Sequence, residues 1–211
     1  MRRQNGSIIW ISESVRSVFS ESGEFLFYEG TVQEISDRKI LEQRFQVQHR
    51  VTDQLSMAST LLQGSQVLLR EVGELLGWHQ GEAWLLRSPM NVLQKVDRWY
   101  CQPSNLLNNR PMVNQNEGLP GFIWSHGQPI WVADLHQMPH LTAEERIRYW
   151  GCKSVIGIPC YHGDRFVGVV LWLSKETVEI EASLLTAVRV MGQQFAQFVG
   201  RRYAESNLRH S

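Results

Sequence analysis

An excess of charge of either sign is missing from this chain. Its 211 residues carry 21 lysines and arginines against 21 aspartates and glutamates. No basic excess therefore marks a surface for nucleic acid or anionic lipid. Long apolar runs are also missing. None approaches the ~18 residues of a membrane span, and no apolar core follows Met1-Arg2-Arg3 to make a signal peptide. These absences predict a soluble, cytoplasmic protein with no nucleic-acid partner and no membrane span. Cysteine is scarce: Cys101, Cys152 and Cys160 form no CxxC pair and are odd in number, as expected of free thiols in a reducing compartment. No Gly-rich nucleotide loop of Walker type is present, and no repeat or low-complexity tract is visible.

What the chain does have is apolar bulk. Hydrophobic residues make up 43%, and there are eight tryptophans, enough for a sizeable core. Ser7 to Phe19 and Phe25 to Ile35 read as two strands joined by the turn residues Glu21-Ser22-Gly23-Glu24. From about Asp37 to Leu76 the pattern predicts one nearly continuous helix, ended by Gly77. Two mixed seams run along it at 4-3 spacing, one of them through Leu41, Phe45, Gln48, Thr52, Leu55, Ser59 and Leu62, and neither is purely apolar. Strands follow at Glu82–Leu86 and Val92–Tyr100. Gly118-Leu119-Pro120-Gly121-Phe122-Ile123-Trp124 predicts a short helix with Pro120 in its first turn. Gly127 stops that helix, and Pro129 starts a short strand before Asp134. Thr142 with Glu145 predicts a capping box. Strands Ser154–Tyr161 and Arg165–Leu173 are joined by His162-Gly163-Asp164. A last helix from about Glu179 to Ser206 carries Leu184, Val188, Met191, Phe195 and Phe198 at 4-3-4-3 spacing.

The order of these motifs, with Ser154-Val155-Ile156-Gly157-Ile158-Pro159 and Phe166-Val167-Gly168-Val169-Val170-Leu171-Trp172, resembles the GAF family of small-molecule sensor domains over residues ~57–202. The resemblance implies an α+β fold: a central antiparallel sheet with the first and last helices on one face and a ligand enclosed on the other. The segment from Asn5 to Lys39, with Glu34-Ile35-Ser36 before the helix, resembles the C-terminal (PAC) part of a PAS domain, as in bacterial sensor histidine kinases. The front strands and helices of a PAS domain have no counterpart, so no flavin or haem is expected there. The implied organisation is a PAC hairpin at 1–37, a signalling linker helix at 38–56, a GAF domain at 57–202 and a helical tail at 203–211.

Asp134, His136 and His140 are close enough to suggest a metal, but Pro139 opposes a shared helix face and zinc needs three or four ligands; no metal is predicted. The resemblance raises two further activities. A methionine sulfoxide reductase would need an activated thiolate, and the placement of Cys152 differs from that branch. Covalent bilin attachment is excluded at the usual position, because Leu141 to Trp150 holds no Cys. Haem is not expected on His79, His126, His136, His140 or His162, several of which fall in turns. His49 lacks the following acid and the Pro of a kinase phosphoacceptor box. The chain is therefore expected not to be an enzyme.

The elements that line the cavity in the family carry Trp99, Tyr100, Trp124, Trp131, Trp150 and Ile156, with Asp134, Arg148 and Cys152 as polar contacts. The same rings would equally fill a core, so a ligand pocket and a packed relay both stand open. The resemblance implies a sensory module of a signal-transduction protein that binds an unidentified small molecule. Alternatively, it relays a packing change to a histidine kinase or cyclase output. The seam Leu184, Val188, Met191, Phe195 and Phe198 would join a parallel homodimer. A purely structural dimerisation module is the other reading.

Overall fold

The structure, a computed structural model, describes residues 9–101, 112–139, 141–149 and 151–209. Contacts divide the chain into two units, Met1–Gln46 and Val47–Ser211.

In the first unit, β1 (Ile11–Phe19) and β2 (Phe25–Glu34) form an antiparallel hairpin. Its turn is closed by Gly23 N–H donating to Ser20 O at 3.0 Å, with Gly23 at φ 82°. Arg16 lies opposite Glu29 and pairs with it across the strands. Phe19, Phe25, Leu26, Phe27 and Tyr28 are all exposed. Helix α1 (Ser36–Met57) begins in this unit, and the Ser36 hydroxyl accepts from Trp10 N–H at 3.1 Å.

The second unit is built on a six-stranded sheet in the order β5-β4-β3-β8-β7-β6. Its strands are β3 (Gln80–Arg87), β4 (Val92–Tyr100), β5 (Met112–Val113), β6 (Ile130–Val132), β7 (Ser154–His162) and β8 (Arg165–Ser174). All neighbouring strands are antiparallel, as the fold-class expectation required. His162 pairs directly with Arg165, so Gly163 and Asp164 make a two-residue hairpin turn.

One face of the sheet is covered by α2 (Leu61–Leu76) and α5 (Ala182–Arg209). Leu68, Leu69 and Val72 of α2 meet Ala83, Ile156, Ile158 and Trp172 of the strands. The buried Trp172 indole donates from Nε1 to Leu69 O at 3.0 Å. The expected single helix from Asp37 to Leu76 is broken. Residues Ala58, Ser59 and Thr60 separate α1 from α2. The Thr60 side chain accepts from Gln63 N–H while Gln63 Oε1 accepts from Ser59 N–H at 2.9 Å. This reciprocal capping satisfies donors that a continuing helix would pair internally, and no Gly or Pro is needed to cause it.

The residues of the predicted dimer seam lie largely inside the unit. Val188, Met191, Phe195 and Phe198 are buried in the unit's own core, and Leu184 is half-buried. The four buried ones belong to the cluster between the sheet and α2.

The opposite face of the sheet carries α3 (Gly118–His126), α4 (Ala143–Arg148) and the turn Leu135–Gln137, around Leu119, Ile123, Trp124, Leu135 and Tyr149. Gly127 ends α3 at φ 69°, and Thr142 with Glu145 forms the expected capping box. Gly157 lets α3 approach, since a Cβ there would lie 2.4 Å from Ile123 Cδ1. No helix among the described residues is long and apolar enough to cross a membrane.

Candidate functional site

Strand alternation sends Gln80, Glu82 and Trp84 of β3 to the α3 side, while Ala83 and Leu85 face α2 and α5. Glu82 is fully buried there, and its carboxylate gathers donors from three elements. Oε1 accepts from Arg98 Nε at 2.9 Å and from Gln80 Nε2 at 3.2 Å. Arg98 Nη2 lies 2.6 Å from the same oxygen. Oε2 accepts from Trp84 Nε1 at 3.1 Å and from the Tyr149 hydroxyl at 3.0 Å. The buried Lys95 ammonium stands 4.0 Å from Glu82 and 5.8 Å from the centre of the Trp84 ring. Arg98 donates onward from Nη1 to the Tyr100 hydroxyl at 2.8 Å.

Burial pushes the Arg98 guanidinium down. Burial is the largest single influence, but the charges of Glu82 and Tyr100 and the hydrogen bonds to both together outweigh it, so the group is held above its ordinary value. Arg98 is therefore a permanent cation in a site from which water is largely excluded.

A second buried carboxylate, Glu145, organises the loops over this face. It accepts from Leu119 N–H of α3 at 2.8 Å and from Thr142 N–H at 3.0 Å. One side chain thus caps α4 and pins the first turn of α3, where the helix dipole favours a negative charge.

The sequence-predicted residues divide between the two faces. Tyr100, Trp124 and Cys152 lie on the α3 side. Trp124 stacks on Phe166 with centroids 5.0 Å apart, and Cys152 packs in the same cluster. Trp99, Trp131 and Ile156 belong to the helix-covered face, and the Trp99 ring lies against Gly73 of α2. Adjacent strand residues such as Trp99 and Tyr100 cannot both face one pocket. The Trp131 Nε1 is buried with no hydrogen-bond partner. Asp134 caps the Leu135–Gln137 turn, accepting from His136 N–H at 3.1 Å and Gln137 Nε2 at 2.8 Å. Arg148 ends α4. Trp150 and His140 lie outside the described residues.

The structure thus centres the face on Glu82, Lys95, Arg98, Trp84 and Tyr149, none of them foreseen. The available signal was Glu82 at the same parity as Trp84, a carboxylate adjoining the apolar run Ala83–Leu86.

Among the described residues no group of three or more His, Cys, Asp or Glu is placed to hold a metal. His79 Nδ1 accepts from Lys175 N–H at 3.2 Å, and His126 stacks on Phe122.

Cys101 is exposed, while Cys152 and Cys160 are buried. Burial pushes the Cys152 thiol up, with Lys175 opposing and Glu82 adding to the rise. Burial pushes Cys160 up to about 12. A thiol-alkylating reagent at pH 8 is expected to modify Cys101 in the native protein and to reach Cys160 only after unfolding. Intact-mass measurement counts the adducts; rapid modification of all three would contradict the assignment.

The sequence matches the GAF domain family over residues 60–200. No curated protein matches it. Among solved structures, the chain is similar to the GAF domain of a phosphoenolpyruvate-protein phosphotransferase from Coxiella burnetii. That match has a TM-score of 0.70 and 14% identity, covering 79% of this chain and 98% of the other. The corresponding domain from Acinetobacter gives a TM-score of 0.66 at 12% identity, covering 78% and 97%. The free methionine-R-sulfoxide reductase of Neisseria meningitidis, solved with its substrate, gives 0.63 at 14% identity, covering 77% and 90%. At these identities the likeness is one of fold. With the family match spanning most of the second unit, and with a six-stranded antiparallel sheet between two terminal helices and a loop-covered face, the chain belongs to the GAF domain family.

Proposed function

We propose that the second unit is a sensory module that binds a small molecule on the α3-covered face and passes its occupancy on through α2 and α5. The observation that carries this reading is the buried Glu82–Arg98 pair with Lys95 beside it. Removing ions from water costs several kcal/mol each, and an apolar core would fill this space without that penalty. A carboxylate, two cations and two hydroxyl-bearing rings converging under loops have the composition of a site that recognises a polar ligand, with Arg98 as the group for an anionic part.

The output route has a physical basis in shared contacts. The β3 strand that holds Glu82 on one face holds Ala83 and Leu85 against the helices on the other. Arg202 of α5 also donates to Ala58 O, just ahead of α2. A ligand changes the output only if it binds two arrangements of these elements with different affinity.

The wider reading is part of the same proposal. The first unit is a PAC-type hairpin, the protein is a homodimer, and the receiver of the signal is a histidine kinase or cyclase. The protein is not an enzyme. The raised Cys152 and Cys160 thiols are poor starting points for thiolate chemistry, which disfavours a sulfoxide reductase.

Native mass spectrometry of the full chain, purified from a rich extract, tests the reading against its denatured mass. A dimer carrying an extra mass that is lost on denaturation is the expected result. A bare chain would overturn the receptor reading in favour of a packed relay, and a monomer would overturn the dimer.

A further inference from the structure

A cleft lies outside the Glu82 face. It occupies about 280 Å³ where the β3–β4 and β7–β8 hairpins meet the last turns of α5. Its walls bring together Arg87 and Ser88 from one hairpin, Arg165 and Phe166 from the other, and Tyr203 from α5. The three elements are far apart in sequence, and the fold brings their side chains to one opening.

The chemistry of the lining is one-sided. It holds two guanidiniums and two hydroxyls, and none of its residues is acidic. Arg87 is held by donating from Nε to Gln94 Oε1 at 2.6 Å, which leaves its terminal nitrogens to act elsewhere. Arg165 is exposed at the start of β8. Tyr203 donates to Leu86 O at 3.3 Å, tying α5 to β3 at the base of the cleft. Both guanidiniums bear on this one hydroxyl: burial pushes the Tyr203 phenol up, while Arg87 and Arg165 each pull it down. Pro89, Phe166 and Val167 supply an apolar wall beside the charged one.

We infer that this cleft is an anion-binding site for a small ligand that joins a phosphate-type group to a flat apolar body. The anionic group would be clamped between Arg87 and Arg165, and the apolar body would lie along Phe166 and Pro89. Guanidiniums suit such oxygens because their donors are arranged as a planar fork. A ligand held there touches both sheet hairpins and α5 at once, so its binding favours arrangements in which the helix end stays seated on the sheet. The site is separate from the Glu82 face, and its failure would leave the proposed sensory reading standing.

The test uses the full chain, with phenyl phosphate as probe and inorganic phosphate as its truncated control. Backbone amide shifts are followed by NMR during each titration. Phenyl phosphate is expected to shift the amides of Arg165, Phe166 and Val167 in a saturable way, and to bind more tightly than inorganic phosphate. Arg165→Ala removes an exposed side chain and should leave the melting temperature unchanged. It should weaken phenyl phosphate at least ~tenfold, the range for a lost charge-assisted contact. Arg87→Gln, which retains a polar side chain of similar reach, should weaken it in the same direction. Absence of saturable shifts would overturn the proposal. So would equal affinity for the two probes, affinity unchanged in Arg165→Ala, or shifts confined to the strand positions around Glu82.

Discussion

Glu82→Gln is expected to destabilise the second unit by about 3–5 kcal/mol, the range for removing one partner of a buried ion pair. The substitution keeps the side chain's size, so no cavity is created; the loss is of charge and of one acceptor, because the amide NH2 must face donors that now give to Oε1 or to Oε2. Arg98 would then keep its charge in a largely dry site with no carboxylate beside it, and Lys95 would lose the anion 4.0 Å away. With the amide oxygen turned to Arg98, the Tyr149 hydroxyl, which reaches Glu82 across 67 residues of sequence, would face an NH2 group in place of its acceptor. Urea unfolding followed by tryptophan fluorescence reads the loss directly. The double variant Glu82→Gln/Arg98→Met separates this account from a general packing defect. Removing the stranded cation should recover part of the stability lost in the single variant, giving a clearly favourable coupling energy for the native pair. Strict additivity of the two changes would mean that the pair contributes nothing as a pair.

The same network marks where the sequence was legible and where it was not. Local signals with a single structural solution were read correctly. Gly127 sits at positive φ at the end of α3, Thr142 and Glu145 form a capping box, and Gly163-Asp164 turns the β7–β8 hairpin. The order of elements followed from such signals, and the antiparallel sheet followed from their resemblance to the family. Facing was harder to read. Trp99, Trp131 and Ile156 were assigned to the ligand side by element, whereas each strand exposes alternate residues to opposite faces. Within β4, a Tyr100 that faces the pocket side requires Trp99 to face α2, where it lies against Gly73. The break at Ala58–Thr60 was missed because its cap is made of Thr60, Ser59 and Gln63, residues that are also tolerated inside helices. Glu82, Lys95 and Arg98 were missed because their significance is mutual. Each alone reads as an ordinary charged strand residue, and only the register of β3 against β4 places them together.

Phe195→Ala is expected to cost about 3–5 kcal/mol, and Phe195→Glu to prevent folding of the second unit. The reason lies in an ambiguity of the 4-3 pattern. Leu184, Val188, Met191, Phe195 and Phe198 have the spacing of a coiled-coil seam, but a helix lying on a sheet needs an apolar stripe of nearly the same period. Burial decides between the two: Phe195 is 0% exposed and Phe198 is 2% exposed. The Phe195 and Phe198 rings lie 6.3 Å apart, and the Phe198 ring fills the space over Gly64 of α2. Truncating Phe195 therefore opens a void at the junction of α5 with the sheet. A carboxylate there would be buried inside an apolar cluster, which costs far more than the lost ring. Circular dichroism and thermal melting read both variants. Loss of the cooperative transition in Phe195→Glu, with a lowered midpoint in Phe195→Ala, is the expected pattern. A Phe195→Glu protein that stayed folded at the wild-type midpoint but fell from dimer to monomer by light scattering would restore the stripe as an intermolecular seam. Any contact between copies along α5 must otherwise use residues outside this stripe, such as Arg189, Gln193 and Gln197, which are not buried in the core.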